Sequence, residues 1–377
     1  MATTRDPDAD GPTGRIQRTF DTVSDVVDET ETGALVTVTV ACLALVGAFV
    51  GFLLISPYTP AFLVVFLTAT AYGWLRHQEV TAKVVTLVMT VVTILILGLI
   101  TVFILLEARE VARFTSGEVF GITIPALEAF TTTEWRPSRR PRTFSMVPMI
   151  HGTVMVTIIS TLVAGPLGVA AALFISEIAP PRVREFVKPG VEILAGIPSI
   201  VYGFLGLAVL SPWVSDQFNL SGQGTYLFVG IVVGLMALPT VVSVAEDAIN
   251  SVPESMKSGS LAMGTTDWQT MTSITIPAAF SGISAAVLLG VGRAIGETMA
   301  ATVMLRNAPR LTEPLYNVFY GYGTLTSAIA SNYGSSFNEA RSALFLAGVV
   351  LFITVLAISI GSQLIESHMH RKLEGMD

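Results

Sequence analysis

Charged residues are scarce in this chain of 377 residues. Aspartate, glutamate, lysine and arginine together make up 13% of it, and apolar residues make up 52%. Soluble globular domains contain roughly 25% charged residues. A soluble protein of this length needs a charged surface that this composition cannot provide. The composition therefore excludes a soluble enzyme and indicates a protein with several membrane-spanning helices.

Several kinds of functional site are also missing. The formal net charge is −7, so no basic surface for nucleic acid is expected. The single cysteine, Cys42, permits neither an intrachain disulfide nor a cysteine-rich metal site. None of the four lysines follows a glycine, so the chain has no Gly-Lys-Ser/Thr phosphate loop and cannot be an ATPase. It also lacks the His-Glu-x-x-His and Gly-x-Ser-x-Gly motifs. We therefore expect neither catalytic residues nor a metal or cofactor in this chain.

Apolar runs long enough to cross a bilayer recur along the sequence. A spanning helix needs about 20 apolar residues, and eight candidate runs are present, of which the second is the shortest. They are Ala34–Ile55, Ala61–Leu75, Val84–Leu106, Met149–Ile175, Val191–Leu210, Tyr226–Ala245, Ile283–Leu305 and Ala343–Ile365. Because lipid cannot hydrogen-bond to an open backbone, we predict an all-α, polytopic helical bundle of about eight transmembrane helices.

The polar residues divide the chain into three predicted parts. Residues 1–33 form an acidic tail, residues 34–82 hold two spans, and residues 83–377 hold six spans. The short basic loops after spans two and four fall on one side of the membrane if every span crosses. The positive-inside rule places these loops and both termini in the cytoplasm. The loop of residues 107–148 carries six arginines yet falls on the outer side; long loops obey the rule less strictly.

The segment of residues 251–277, between spans six and seven, has the pattern of a helix, a glycine turn and a second helix. Ser251 is suited to cap the first helix, and Gly264 suits the left-handed turn that ends it. Pro277 is expected to end the second helix before the next span. Two interpretations remain open: an amphipathic helix that lies on lipid, or a knob that docks into a groove of a partner protein.

The spacing in this segment resembles the EAA loop of ABC-importer permeases. In that family, Glu-Ala-Ala is followed after three residues by glycine and, nine residues later, by Ile-x-Leu-Pro. Here Gly264 is followed at the same spacing by Ile274, Ile276 and Pro277, and a Ser-Gly-Ser triplet replaces Glu-Ala-Ala. The resemblance implies that residues 251–277, called here the coupling loop, dock onto a cytoplasmic ATPase subunit. The residues implied are Ser258, Gly259, Ser260, Leu261, Met263, Gly264, Thr265, Ile274 and Pro277.

A charged pair lies in the seventh predicted span. Arg293 is expected near its middle, and Glu297 four residues on, so that both lie on one helical face. A charge in lipid is costly unless it faces protein or water. The pair either neutralises itself or lines a substrate pathway, where a guanidinium provides paired donors for a tetrahedral oxyanion. Ser199, after Pro198 at the start of span five, either exposes a hydroxyl and backbone donors to an anion or marks a packing kink.

Residues 292–300, Gly-Arg-Ala-Ile-Gly-Glu-Thr-Met-Ala, resemble the PstC-type permease subunits of phosphate ABC importers. The similarity covers about residues 84–372 and implies a six-helix, MetI-like permease core. It also implies a substrate pathway that includes Arg293, Glu297, Ser199 and Thr298. The implied partners are a PstA-like permease, two PstB-like ATPases that bind ATP and magnesium, a PstS-like extracellular phosphate-binding protein and membrane lipid.

The sequence therefore predicts a cell-membrane permease subunit that takes up inorganic phosphate by alternating access and is not itself an enzyme. One alternative is an importer of the same architecture for sulfate or molybdate, which competition between anions would distinguish. The other is a secondary transporter driven by an ion gradient, in which the coupling loop merely lies on lipid. Such a carrier would not co-purify with an ATPase.

Overall fold

Helices dominate the computed structural model of this chain. It describes residues 32–119, 122–124, 126–137, 140, 142–218, 224–306, 310–336 and 338–373. The predicted acidic tail of residues 1–33 lies outside the described residues except for its last two positions. Contacts within the chain define two compact units, Met1–Thr101 and Val102–Asp377.

The first unit contains three helices that pack through small residues. They are α1 (Thr32–Leu53), α2 (Thr59–Arg76) and most of α3 (Gln78–Arg109). Ala41, Ala44 and Ala48 of α1 are buried. A Cβ added at Gly47 would lie 2.7 Å from the ring of Phe62 on α2. Helices in lipid associate through such close contacts, because lipid offers no hydrophobic force to drive them together.

The second unit holds the remaining helices and two short antiparallel hairpins. Its first elements are a 3₁₀ turn (Glu110–Arg113), β1 (Gly117–Val119), β2 (Ile122–Ile124), α4 (Glu128–Thr131), β3 (Trp135–Arg136), β4 (Thr143–Phe144), α5 (Val147–Leu173) and a π-helical turn (Phe174–Ile178). Next come α6 (Pro181–Gly196), α7 (Ser199–Leu205), a π-helical turn (Gly206–Leu210), α8 (Ser211–Phe218) and α9 (Tyr226–Asn250). The last are α10 (Glu254–Ala262), α11 (Asp267–Thr270), a π-helical turn (Met271–Thr275), α12 (Ile276–Gly296), α13 (Met299–Met304), α14 (Leu325–Asn332), a 3₁₀ turn (Tyr333–Ser335) and α15 (Glu339–Leu373).

The core of the second unit is built where α5, α9 and α12 meet. Val241 of α9 is fully buried and would lie 2.7 Å from a Cβ at Gly168 of α5, and 2.6 Å from a Cβ at Gly290 of α12. Gly230 and Gly234 of α9 bring α5 equally close. The small residues allow the three backbones to approach, so α9 forms the centre against which α12 is held.

The described residues contain six helical stretches that are long and apolar enough to cross a bilayer. They are Thr32–Leu53, Gln78–Arg113, Val147–Ile178, Tyr226–Asn250, Asp267–Gly296 and Glu339–Gly361. They correspond to predicted spans one, three, four, six, seven and eight. The second predicted span forms the 18-residue helix α2 but is not among the six. The helical, polytopic bundle is thereby confirmed.

The fifth predicted span, Val191–Leu210, is not one straight helix, because the chain breaks at Pro198. In its place lie Pro181–Gly196 and Ser199–Trp213, which meet at an angle of 91°. Ile197 and Pro198 between them are extended, with ψ of 125° and 136°. A residue that precedes proline is disfavoured in the helical region because of the proline ring. Pro198 therefore ends α6 and leaves α7 free to take a new direction.

The seventh predicted span also differs from the structure. Its helix is continuous from Asp267 and ends at Gly296, nine residues before the predicted end at Leu305. Glu297 is extended, with φ −66° and ψ 122°, and α13 then begins a separate short helix. Arg293 consequently lies in the last turn of α12 and not near the middle of the span.

Candidate functional site

The guanidinium of Arg293 is fixed by one bond at the end of α12. Its Nε donates a hydrogen bond to the carbonyl oxygen of Met236 on α9, at 3.1 Å. The side chain is otherwise exposed. Within the described part of the chain, its two terminal nitrogens have neither a hydrogen-bond acceptor nor a carboxylate partner. Arg293 therefore presents a positioned fork of donors that suits a planar or tetrahedral oxyanion.

The predicted pairing of Arg293 with Glu297 on one helical face is wrong, because α12 ends between them. Glu297 instead supports the backbone that follows. Its Oε1 accepts a hydrogen bond from the amide of Ala300 at 3.0 Å. Its carbonyl oxygen accepts one from Thr326 Oγ1 of α14 at 2.7 Å. The carboxylate thus satisfies a free amide in the first turn of α13, and leaves the charge of Arg293 to another partner.

The break before Ser199 lies close to this site. Gly203 of α7 would place a Cβ 2.8 Å from the Cα of Ala300, so α7 packs backbone to backbone against α13. Ser199 is half-buried at the first position of α7. The structure therefore brings the Ser199 segment and the Arg293–Glu297 segment into one region. Thr298 also lies here, and its hydroxyl donates to the carbonyl oxygen of Gly296 at 3.0 Å.

Tyr202 is a member of this region that sequence reasoning did not assign. Its hydroxyl donates to the carbonyl oxygen of Leu194 at 3.0 Å, across the break between α6 and α7. Its phenol lies within electrostatic range of the positive charge of Arg293. The available signal was its position four residues after Pro198: a helix that starts at that proline places Tyr202 one turn on, within reach of the break.

The coupling loop has the predicted arrangement of helix, glycine turn and helix. Helix α10 ends at Ala262, and Gly264 has φ of +88° in the left-handed region. Helix α11 begins with a capping box in which Thr266 and Gln269 satisfy each other's backbone amides. About 40 Å of continuous helix separates Asp267 from Arg293, at 1.5 Å per residue. The coupling loop and the guanidinium of Arg293 therefore lie at opposite ends of one continuous helix.

Two boundaries of the coupling loop differ from the prediction. Ser251 does not cap α10; it ends α9, and its hydroxyl donates to the carbonyl oxygen of Ala248 at 2.7 Å. Pro277 does not end a helix, because α11 continues through the π-helical turn into α12. In that turn the amide of Ile276 bonds to the carbonyl oxygen of Met271, five residues back. The backbone hydrogen bonds next to Pro277 already have the wider π-helical spacing, so the amide hydrogen that proline lacks does not end the helix.

Most of the predicted docking residues are accessible. Ser258, Gly259, Leu261, Met263, Gly264 and Pro277 are exposed, and Thr265 and Ile274 are half-buried. Met263 is 80% exposed. Trp268, which the sequence analysis did not assign to the docking surface, is 66% exposed. Exposed large apolar side chains beside a glycine turn are typical of a protein-docking surface. Ser260, in contrast, is buried, so it cannot contact a partner directly.

Ser260 belongs to a cluster of three hydroxyls inside the coupling loop. Its Oγ lies 2.8 Å from Thr265 Oγ1 and 3.1 Å from Thr270 Oγ1, and the two threonine oxygens lie 2.9 Å apart. The cluster joins α10, the turn and α11. It fixes the angle at which the two short helices present their exposed residues.

We expect Thr270→Val to loosen the coupling loop, because it removes one hydroxyl from the cluster at almost constant volume. Leaving a buried polar group without its partner costs about 1–3 kcal/mol. Hydrogen exchange of residues 254–275 should therefore accelerate. Thr272→Val is the matched control, since Thr272 is exposed and bonds only within its own helix, to Trp268 and Gln269. Equal exchange in the two variants would contradict a bracing role for the cluster.

An ion pair connects the coupling loop to the end of α5. Lys257 Nζ lies 2.6 Å from Glu177 Oε1, and the two side chains are only 14% and 17% exposed. Glu177 lies in the π-helical turn that follows α5. Around the pair, an open groove of about 470 Å³ separates the two elements; its lining includes Ser176, Leu261 and Trp268. The pair bridges this groove and so links α10 to the end of α5.

For the ATP-driven importer that the sequence resemblance implies, we expect single charge reversals at this pair to lower uptake for each ATP that is hydrolysed. Lys257→Glu and Glu177→Lys each place two like charges in a shielded position. The double reversal restores an attractive pair, so it should recover most of the coupling. The measurement is uptake and ATP hydrolysis on the same assembled transporter. As a control, Lys83→Glu disrupts a pair with Glu79 that is 60% and 80% exposed, and exposed pairs contribute little. A double reversal no better than the single variants would overturn this role.

Residues 164–371 match the family described as the binding-protein-dependent transport system inner membrane component. The chain is 40% identical over 233 residues to the probable ABC transporter permease protein YqgH of Bacillus subtilis (strain 168), covering 61% of this chain and 74% of the relative. It is 32% identical over 271 residues to the phosphate transport system permease protein PstC of Xylella fastidiosa (strain 9a5c), covering 67% and 82%. A solved bacterial alginate ABC transporter, in complex with an alginate pentasaccharide-bound periplasmic protein, matches with a TM-score of 0.49 at 18% identity, over 80% of this chain and 97% of that one.

Proposed function

Since this chain belongs to the family of binding-protein-dependent transport system inner membrane components, we propose that it forms part of the path by which inorganic phosphate enters the cell. The chain is a permease subunit of an ABC importer and a multi-pass membrane protein. Permease subunits of this kind are not enzymes and work with an ATPase and a substrate-binding protein. The choice of phosphate is supported by the relatives named as phosphate transport permeases.

The observation that carries the proposal is that the guanidinium of Arg293 is anchored but has no carboxylate partner among the described residues. The guanidinium is anchored through Nε to Met236, the residue is exposed, and its two terminal nitrogens have no partner among the described residues. Two parallel charge-assisted hydrogen bonds from one guanidinium fit two oxygens of a phosphate. Glu297 accepts a hydrogen bond from the amide of Ala300 and, among the described residues, forms no ion pair with Arg293. A single arginine, in the region that also contains Ser199 and Thr298, binds phosphate weakly enough for release on the other side.

The proposed partners follow from the same assignment. They are a PstA-like permease that completes the membrane path, two PstB-like ATPases that bind ATP and magnesium, and a PstS-like extracellular protein that delivers phosphate. The coupling loop faces the cytoplasm in this arrangement, as do both termini. The exposed Leu261, Met263 and Trp268 dock onto an ATPase.

The mechanism joins these parts through α12. When ATP closes the ATPase pair, the docked coupling loop is displaced. A continuous helix from Asp267 to Gly296 carries this displacement to the Arg293 end, and the pair of Lys257 with Glu177 makes α5 follow. Because α13 packs on α7 through Ala300 and Gly203, the region around the guanidinium changes shape and opens to the other side.

Uptake competition tests the substrate. Membrane vesicles that contain the assembled transporter and its binding protein are supplied with ATP and labelled phosphate, and unlabelled phosphate, sulfate or molybdate is added in excess. We expect only unlabelled phosphate to suppress the signal. Suppression by sulfate or molybdate at equal concentration would assign a different oxyanion. Uptake that continues without ATP but stops when the ion gradient is collapsed would assign a secondary transporter.

A further inference from the structure

Helix α6 is amphipathic, and only its last six residues, 191–196, fall within the fifth predicted span. Along its 16 residues, Val183, Phe186 and Ile193 recur at spacings of three and seven and share one side of the helix. Glu185 and Glu192 share another side. A spanning helix needs about 20 apolar residues, so neither the length nor the pattern of α6 fits a helix that crosses lipid. The pattern is typical of a helix that lies between an apolar and an aqueous phase.

The apolar side of α6 is not covered by the rest of the chain. Phe186 is 83% exposed and Ile193 is 67% exposed. Across all its described positions, from Pro181 to Gly196, α6 buries no residue. Its least exposed side, with Val187 and Leu194, rests on the protein, and the acidic side is open as well. The helix thus presents three surfaces: one to protein, one apolar and one charged.

Two observations fix the height of α6 along the bundle. The spanning stretch that precedes it ends at Ile178, and α6 begins three residues later at Pro181. At the middle of α6, Lys188 Nζ lies 3.0 Å from Glu246 Oε1. Glu246 is buried and lies one turn before the end of spanning helix α9 at Asn250. Both the start and the middle of α6 therefore lie at the level where two spanning helices end.

The direction of α6 follows from the break at Pro198. The segment after the break carries exposed Ile200, Phe204 and Leu205, as expected for a helix that enters lipid. It makes an angle of 91° with α6. A helix at right angles to a segment that enters the membrane, and at the height where its neighbours leave it, runs along the membrane surface.

From these observations we propose that α6 is an interfacial helix and that its apolar side contacts the lipid bilayer. Phe186 and Ile193 insert among the acyl chains just below the headgroups, and Glu185 and Glu192 remain in water. Lys188 holds the helix to the bundle through Glu246 at the boundary of the two phases. The proposal depends on the chain being a membrane permease and is independent of the substrate that it carries.

The test uses the single cysteine of the chain. Cys42→Ala gives a cysteine-free background, into which Phe186→Cys, Ile193→Cys, Glu185→Cys and Glu192→Cys are introduced one at a time. Each variant is assembled with its partner subunits, checked for ATP-driven uptake, spin-labelled and placed in phosphatidylcholine–phosphatidylglycerol liposomes. Collision of the label with oxygen, which concentrates in lipid, is compared with collision with a nickel chelate, which remains in water.

We expect the oxygen-to-nickel ratio at positions 186 and 193 to be several times higher than at positions 185 and 192. Low collision with both reagents at 186 and 193 would mean that a partner subunit covers this side, and would overturn the proposal. Equal nickel access at all four positions would place the helix in water and overturn it as well. The two positions on each side keep the test decisive if one variant fails to assemble. Loss of phosphate selectivity would leave the ratios unchanged, so the two proposals fail separately.

Discussion

Replacing Arg293 by alanine is expected to reduce phosphate uptake to background while the ATPase subunits stay bound. The variant removes the two terminal nitrogens that face open space at the end of α12. Each hydrogen bond between charged groups contributes about 1.5–3 kcal/mol, so losing two weakens binding roughly 100-fold or more. The coupling loop lies at the other end of the same helix, so ATPase docking should not change. Uptake of labelled phosphate and retention of the ATPase are measured on the same preparation.

Two further variants make the Arg293 experiment specific. Arg293→Lys keeps the charge but loses the planar fork and the bond from Nε to Met236, so we expect partial uptake. Arg113→Ala is the matched control, because Arg113 is also an exposed arginine at the end of a helix but is paired with Glu110. It should transport normally. Unchanged uptake in Arg293→Ala, or equal loss in Arg113→Ala, would remove Arg293 from the substrate path.

The second large effect is expected at Gly264 of the coupling loop. Gly264 has φ of +88°, and a Cβ added there would have no neighbouring atom within 4 Å, so the expected cost of a substitution is one of backbone conformation. A left-handed backbone costs an ordinary residue about 1–2 kcal/mol, and a β-branched residue more. Gly264→Val should therefore rearrange the turn, misplace Met263 and abolish retention of the ATPase. Gly264→Asn should retain most of it, since asparagine tolerates this conformation.

Gly259 provides the control within the same loop. It also has open space around it, but it lies inside α10 with an ordinary helical backbone. Alanine is favoured over glycine in a helix by about 1 kcal/mol, so Gly259→Ala should preserve the fold of the loop and change the predicted docking surface by only one methyl group, and most ATPase retention should remain. If Gly264→Val retained the ATPase as well as Gly259→Ala does, the turn would not be the element that positions the docking surface.

The helix, turn and helix of the coupling loop could be predicted because their signals are local. Gly264 is the residue type that a left-handed turn requires, and Thr266 and Gln269 form a capping box three residues apart. The six long spans were equally visible as apolar runs. These features depend on neighbours in sequence, so composition and spacing are sufficient to locate them.

The end of α12 could not be predicted for the opposite reason. The apolar run continues past Gly296 into α13, so hydropathy shows one span where the structure has two helices. What stabilises the break is the carboxylate of Glu297 on Ala300 and the hydroxyl of Thr326 on its carbonyl. Thr326 is 29 residues away in sequence. The prediction of a charged pair on one face failed because it assumed that the helix continued.

Long-range contacts account for the other differences. The bridge from Lys257 to Glu177 spans 80 residues of sequence, and no local pattern indicates it. The close packing of Gly203 on Ala300 brings the Ser199 and Arg293 segments into one region, a contact between distant segments that no local pattern in the sequence indicates. Pro198 was visible as a candidate break, but the angle of 91° depends on how α6 and α7 each pack on the bundle.

The most direct test of the central claim is the composition of the complex that this chain forms. The chain is purified with an affinity tag from gently solubilised membranes, and the proteins that accompany it are identified by mass spectrometry. An ATP-driven importer predicts that an ATPase and a second, different permease are recovered with it in stoichiometric amounts. Recovery of the chain alone or as a homo-oligomer, with uptake intact, would contradict the account and assign a gradient-driven carrier.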